Sequence, residues 1–191
     1  MPRLLVLGGA ACVFEDAARA QDLGTFDAVM AINDAIAKWP GPIDYAVTLH
    51  PEKFGGWFRA REHAGFPGRP VRWAHKLNPA GRVDLPPERA TDDWAGSSTL
   101  LGVKIGLLEE GFARIVVAGA PMDGGPHVGA PADDRWVDFG TFRPAWVRRR
   151  EQLLPFVRSM SGWTAALLGE PTTDWLADHM APSGPQRRSS R

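Results

Sequence analysis

Cysteine, tyrosine and lysine are scarce in this chain, and it carries no net charge. Its 191 residues include one Cys (Cys12), one Tyr (Tyr45) and four Lys. A lone cysteine excludes a disulfide framework and a cysteine-based zinc site. A reducing, cytoplasmic compartment is the default expectation. Lys+Arg and Asp+Glu both number 22, so the formal net charge is zero. A generic nucleic-acid binder would be basic, and the composition argues against that class. No apolar run approaches the roughly 18 residues of a membrane span. Leu4 to Leu7 has the outline of a short signal core, but Gly8-Gly9 ends it, and it reads as a first β-strand. The five His show no H-x-x-x-H or H-E-x-x-H pattern, so no metal site is predicted. G-x-G-x-x-G and G-x-x-x-x-G-K-[ST] are also missing, which disfavours NAD binding and P-loop ATP hydrolysis.

What is present is a globular composition, 44% hydrophobic and 23% charged, enough for one compact domain with a core. Short apolar runs alternate with helical patterns. Strands are predicted at 4–7, 26–32, 43–49, 71–74, 113–119 and 155–160. Helices are predicted at 12–22, 34–39, 51–63, 99–110, 141–154, 163–168 and 172–180. Residues 75–95 and 120–140 read as long irregular segments, and loops of that length in a compact domain usually carry function. Gly102 and Gly106 lie four apart on the 99–110 helix. Gly costs about 1 kcal/mol against Ala there, and close packing on a sheet is the compensating gain. The alternation predicts a three-layer Rossmann-like α/β domain over residues 1–180 with a mostly parallel sheet. Residues 181–191, rich in Pro, Ser, Gly and Arg, are predicted to be a flexible tail.

In such a fold, ligands bind beyond the carboxyl ends of the strands. The candidate residues are therefore those that follow each strand. Gly8-Gly9-Ala10 either admits a phosphate to the backbone or simply turns the chain. Asn33 and Asp34 occupy the position of a ribose-binding acid, or one of them, Asp34 before Asn33, caps the next helix. His50 is a second strand-end candidate, with helix capping or burial as its alternatives. Gly96-Ser97-Ser98-Thr99 opens the strongest helix and offers hydroxyl and N–H donors to an anion, with N-capping by Ser97 or Ser98 as the plainer role. His127 lies in a Gly/Pro loop four residues after Asp123. An imidazole beside an acid suits general-base work, against the alternative of a solvated loop histidine. Trp57, Trp73, Trp94 and Trp136 flank these loops as stacking or packing residues. Arg148, Arg149 and Arg150 read as a solvated helix face before a phosphate clamp.

Three stretches, VLGGAACVFEDA, FDAVMAINDAIAKW and IDYAVTLHPEK, resemble the Rossmann-like domain shared by sialyltransferases and the 6-hydroxymethylpterin diphosphokinase group. AGSSTLLGVKIGLLEEGFARIVVAGAPMDGG resembles the second half of the sialyltransferase pattern. The likeness covers about residues 3–170. It departs from the pattern where the usual loop Ser is replaced within Gly8-Gly9-Ala10, where His50-Pro51 stands for Asp-Pro, and where the acid is displaced to Asp123. The resemblance implies a nucleotide or nucleotide-sugar ligand of CMP type, a glycosyltransferase-like transfer, and His127 as catalytic base. The alternative implied is a diphosphokinase that needs Mg²⁺, for which Asp123, Asp133 and Asp134 are the loop cluster available. A third possibility is a non-catalytic module that binds a nucleotide or a protein. A homo-oligomer is compatible with all three.

Overall fold

The computed structural model describes residues 1–75 and 83–178. The elements in chain order are β1 (Arg3–Leu7), α1 (Val13–Leu23), β2 (Ala28–Ile32), α2 (Ala35–Lys38), β3 (Tyr45–Thr48), a 3₁₀ turn (Pro51–Lys53), α3 (Phe54–His63), β4 (Val71–His75) and β5 (Arg89–Thr91). There follow α4 (Ser98–Lys104), which continues as a π-helical turn over Ile105–Glu109, then β6 (Arg114–Ala118), α5 (Phe139–Leu153), β7 (Val157–Ser159), α6 (Gly162–Leu168) and α7 (Thr173–Ala177). The sheet is entirely parallel, in the order β5-β4-β3-β2-β1-β6-β7.

Both faces of the sheet are covered, which is why its strands read as continuous apolar runs. Alternation along β1 sends Leu4 and Val6 to one face and Leu5 and Leu7 to the other. The first face packs against Leu100, Leu101, Val103 and Ile105 of the central helix and Trp146 of α5. The second packs against Val13 and Ala17 of α1, Ile36 of α2 and Phe54 and Trp57 of α3. This is a three-layer Rossmann-like α/β fold. A Cβ at Gly102 would lie 2.6 Å from Ile32 Cδ1, and one at Gly106 would lie 2.6 Å from Leu4 Cδ2. The two glycines thus let the helix sit directly on β1 and β2.

The chain runs outward from β1 through β2, β3 and β4 to β5, with α1, α2 and α3 on one face. It then crosses back over the other face through α4 to β6, on the far side of β1. Strand order therefore reverses between β1 and β6, and this reversal opens a crevice at their carboxyl ends.

Several boundaries differ from the sequence expectation. The segment 75–95 is not all loop, because Arg89–Thr91 pairs with β4 as the edge strand β5. Arg89 and Ala90 are exposed, and a three-residue edge strand buried on one side has no apolar signature. The last predicted helix is confined to Thr173–Ala177, with the Thr172 hydroxyl accepting the Trp175 N–H at 3.1 Å. Residues 179 and 180, the predicted tail 181–191 and residues 76–82 of the predicted loop lie outside the described residues. No helix among the described residues is long and apolar enough to cross a membrane.

Candidate functional site

The crevice between β1 and β6 holds a cleft of about 270 Å³, near the lower end of the roughly 300–1,000 Å³ common for small-molecule sites. Its walls come from the carboxyl ends of β1, β2, β3 and β6 and from the start of α4. Gly9, Ala10, Asn33, Asp34, His50, Ser97, Ser98, Thr99, Asp123 and His127, all candidates from the sequence, line this one cleft. Lys53, Trp57, Trp136 and Phe142 complete its polar and aromatic lining.

Two predicted site glycines lie outside the lining and have packing roles. A Cβ at Gly8 would sit 2.3 Å from the Gly119 carbonyl oxygen, so Gly8 allows β1 to run against the end of β6. A Cβ at Gly96 would meet Leu100 and Ala145 at 2.6 and 3.1 Å. Gly9 is the reverse case, with nothing within 4 Å of an added Cβ.

His127 is fixed by backbone pairing. The β1–β6 ladder continues past the strands through Gly8 N–H to Ala118 C=O (2.7 Å) and Ala10 N–H to Gly119 C=O (3.0 Å). The returning loop then bridges Ala10 and His127 in antiparallel fashion. Ala11 N–H donates to Pro126 C=O at 2.9 Å and Val128 N–H to Gly9 C=O at 2.8 Å. A loop that looks unconstrained in sequence is therefore stitched to the first strand. The acid beside His127 is Asp134, whose Oδ2 lies 3.4 Å from His127 Nδ1. Asp123, the expected partner, instead accepts Gly125 N–H through Oδ1 at 3.2 Å. Trp136 packs 5.7 Å from the His127 ring and 5.6 Å from Phe142, centroid to centroid.

At the other end of the cleft the Ser97 hydroxyl caps α4, accepting Leu100 N–H at 3.3 Å. Ser98 Oγ accepts Leu49 N–H at 3.2 Å and ties β3 to the same corner. Ser97, Ser98 and Thr99 are only 7%, 7% and 6% exposed. Asn33 has a left-handed backbone (φ 51°) and accepts the Thr48 hydroxyl through Oδ1 at 2.7 Å. Asp34 does not cap α2 with its side chain. Its Oδ1 accepts Trp57 Nε1–H at 2.8 Å. His50 faces Glu52, with Nδ1 to Oε1 at 3.5 Å. Trp73 and Trp94 belong to the core, and Arg149 stacks over Trp94 at 4.9 Å. Arg150 contacts the Leu167 carbonyl and Glu151, away from the cleft lining.

Sequence reasoning missed the support beneath the site. Asp16 on α1 is 2% exposed and accepts Gly119 N–H at 2.9 Å and the Ser161 hydroxyl at 2.5 Å. Above it, Ala120 C=O receives the Thr164 hydroxyl (2.7 Å), Pro121 C=O receives Trp163 N–H (2.8 Å), and Met122 C=O receives Arg143 Nη2–H (2.6 Å). Met122 is itself left-handed, with φ 52°. A non-glycine residue held there costs on the order of 1–3 kcal/mol and needs such anchoring to persist. These contacts join residues more than 20 apart, and no local pattern announces them. Cys12 also borders this network. Burial first, then the Asp16 charge, pushes its thiol up to about 11, so it is a poor nucleophile near neutral pH.

Among the described residues no group of three or more His, Cys, Asp or Glu side chains is placed to hold a metal ion. Comparison with known protein families, curated proteins and solved structures returned no match to this chain.

Proposed function

We propose that the cleft binds a nucleotide or nucleotide-sugar and that the protein is a glycosyltransferase-like transferase with His127 as general base. The observation that carries this reading is the pairing of two chemistries in one cleft at the strand-order reversal: three buried hydroxyl residues at one end and a carboxylate-paired histidine at the other. Hydroxyls able to donate suit phosphate oxygens, and their position at the carboxyl edge of the sheet is where this fold class takes its ligands. In the Nδ1–H tautomer that Asp134 favours by accepting from it, the Nε2 lone pair of His127 would be free to take a proton from an acceptor hydroxyl. Trp136 and Phe142 offer flat apolar surface for a base or sugar ring. Asp123 remains in the lining, where it shapes the loop through Gly125.

A thermal-shift panel of CMP, UMP, GDP, ATP and NAD, with and without Mg²⁺, tests the reading. A bound nucleotide at 100 times its dissociation constant stabilises the fold by about 2.7 kcal/mol. Stabilisation by a nucleotide without Mg²⁺ supports the proposal. Turnover that demands Mg²⁺ selects the diphosphokinase alternative, and tight binding without turnover selects the non-catalytic module. Gly9→Trp is the matched control. The backbone accepts a side chain there, and the ring should fill the cleft and abolish the shift. Stabilisation by no nucleotide, or an unchanged shift in folded Gly9→Trp, contradicts the assignment.

A further inference from the structure

The donor groups at the Ser97 end of the cleft outnumber what one phosphate needs. Ser97 and Ser98 each use Oγ to accept a backbone N–H, which leaves the O–H proton to donate elsewhere. The Thr99 hydroxyl makes no hydrogen bond to a described residue, although Thr99 is more than nine-tenths buried and lines the cleft. Asn33 uses only its Oδ1, so its amide N–H groups are unengaged. Lys53 also lines the cleft, is exposed, and makes no ion pair with a described residue. The carboxylates in the lining are differently placed, since Asp34 is held by Trp57 and Asp123 by Gly125.

An inner phosphate, bridged on two sides, presents two non-bridging oxygens, and the three buried hydroxyls already exceed that number. Asn33 and the solvent-side cation Lys53 are then surplus. A lysine ammonium is a point charge with three donors, suited to a second phosphate rather than to a ribose or a base. We infer that the cleft is built for a ligand with two linked phosphates, a nucleoside diphosphate or its sugar ester, with the inner phosphate on Ser97, Ser98 and Thr99 and the outer one on Lys53. A CMP-type donor, with its single phosphate, would leave Lys53 unused. This inference rests on the nucleotide reading of the cleft and narrows it.

The test is calorimetric titration of matched pairs, CMP against CDP and UMP against UDP, without divalent cations, into the wild-type chain and Lys53→Met. The diphosphate of the preferred base should bind about tenfold tighter than its monophosphate, the effect of one charge-assisted contact. In Lys53→Met the ratio should fall to within about threefold. Thr99→Val should weaken both members of the pair together. Equal wild-type affinities, or a ratio that survives in Lys53→Met, would overturn the diphosphate inference and leave the nucleotide reading standing. Binding of no nucleotide would overturn both.

Discussion

Arg61 and Thr99 are both buried polar residues, 2% and 6% exposed, yet they are supplied with partners in opposite ways. The Arg61 guanidinium donates to four backbone carbonyls through Nη1 and Nη2, while its buried Nε–H has no partner among the described residues. Nη1 reaches Ile36 and Trp39 at 3.2 and 2.7 Å, and Nη2 reaches Gly41 at 2.6 Å and also Pro67. These bonds close the turn after α2 onto the end of α3. Thr99, at the reversal point, has no such partner, and its neighbours Ser97 and Ser98 keep their protons free. The backbone differs in the same sense. Among the described residues, the left-handed non-glycine residues are Asn33, Ala95 and Met122, which line the cleft or directly precede Gly96 and Ser97. Burying polar groups is costly, and a fold meets that cost internally where only rigidity is needed. Arg61 Nε and the indole N–H groups of Trp39, Trp73 and Trp146 are buried without partners among the described residues, away from the cleft. What sets Thr99 apart is that its open hydroxyl lines the cleft beside strained backbone, as the proposed ligand site requires.

Four outcomes would break or sharpen this contrast. The largest concerns His127 at the ligand side. His127→Ala should lower transfer by roughly 10²–10⁴-fold while nucleotide affinity and stability hold, as judged by steady-state kinetics beside calorimetry. Full turnover would reduce His127 to a solvated loop residue. Next is Arg61→Met, which strands four carbonyls together. It should cost about 3 kcal/mol or more in urea unfolding and leave nucleotide affinity unmoved in the protein that remains folded. A cost below about 1 kcal/mol would mean that the satisfied cluster is not what holds that corner.

Thr99→Val should do the converse. Its hydroxyl serves no protein group, so stability should shift by less than about 1 kcal/mol, whereas nucleotide affinity should fall by about five- to tenfold. A large stability loss with unchanged affinity would invert the comparison. The smallest effect is at Cys12. Its thiol, raised from about 9.0 to about 11 in the fold, stays neutral where an unfolded thiol ionises. Its contribution to stability is therefore complete below pH 9 and is lost as pH rises toward 11. Alkylation rates of the native protein should climb with a midpoint near 11, and a midpoint near 9 would show the Asp16–Ser161 network to be open.

The layers, the central helix on the sheet and the edge that carries the cleft were legible in the sequence. Apolar runs such as Leu4–Leu7 and Ile115–Val117 are the direct mark of a sheet covered on both faces. Gly111, left-handed at φ 76°, ends the central helix where expected. Residues that follow strands could be placed on one edge by position alone, and Asn33, Ser97 and His127 line one cleft there. What the sequence could not give was contact across long separations. Asp134 displaces Asp123 at His127 because the loop folds back through the Ala10 bridge. Asp16, 103 residues from Gly119, holds the cleft wall from an otherwise ordinary amphipathic helix. Gly8 and Gly96 lie outside the lining, because a glycine required for packing and one that opens onto a cleft look the same in a sequence.

The most direct measurement of the central claim is amide chemical-shift mapping during titration with CMP and UDP. Saturable shifts are expected at Gly9, Ala10, Asn33, Ser97 to Thr99 and Gly119 to His127, with the amides around Arg61 unmoved. Absence of saturable shifts with either nucleotide, or shifts centred on α2 and α3 around Arg61, would contradict that claim.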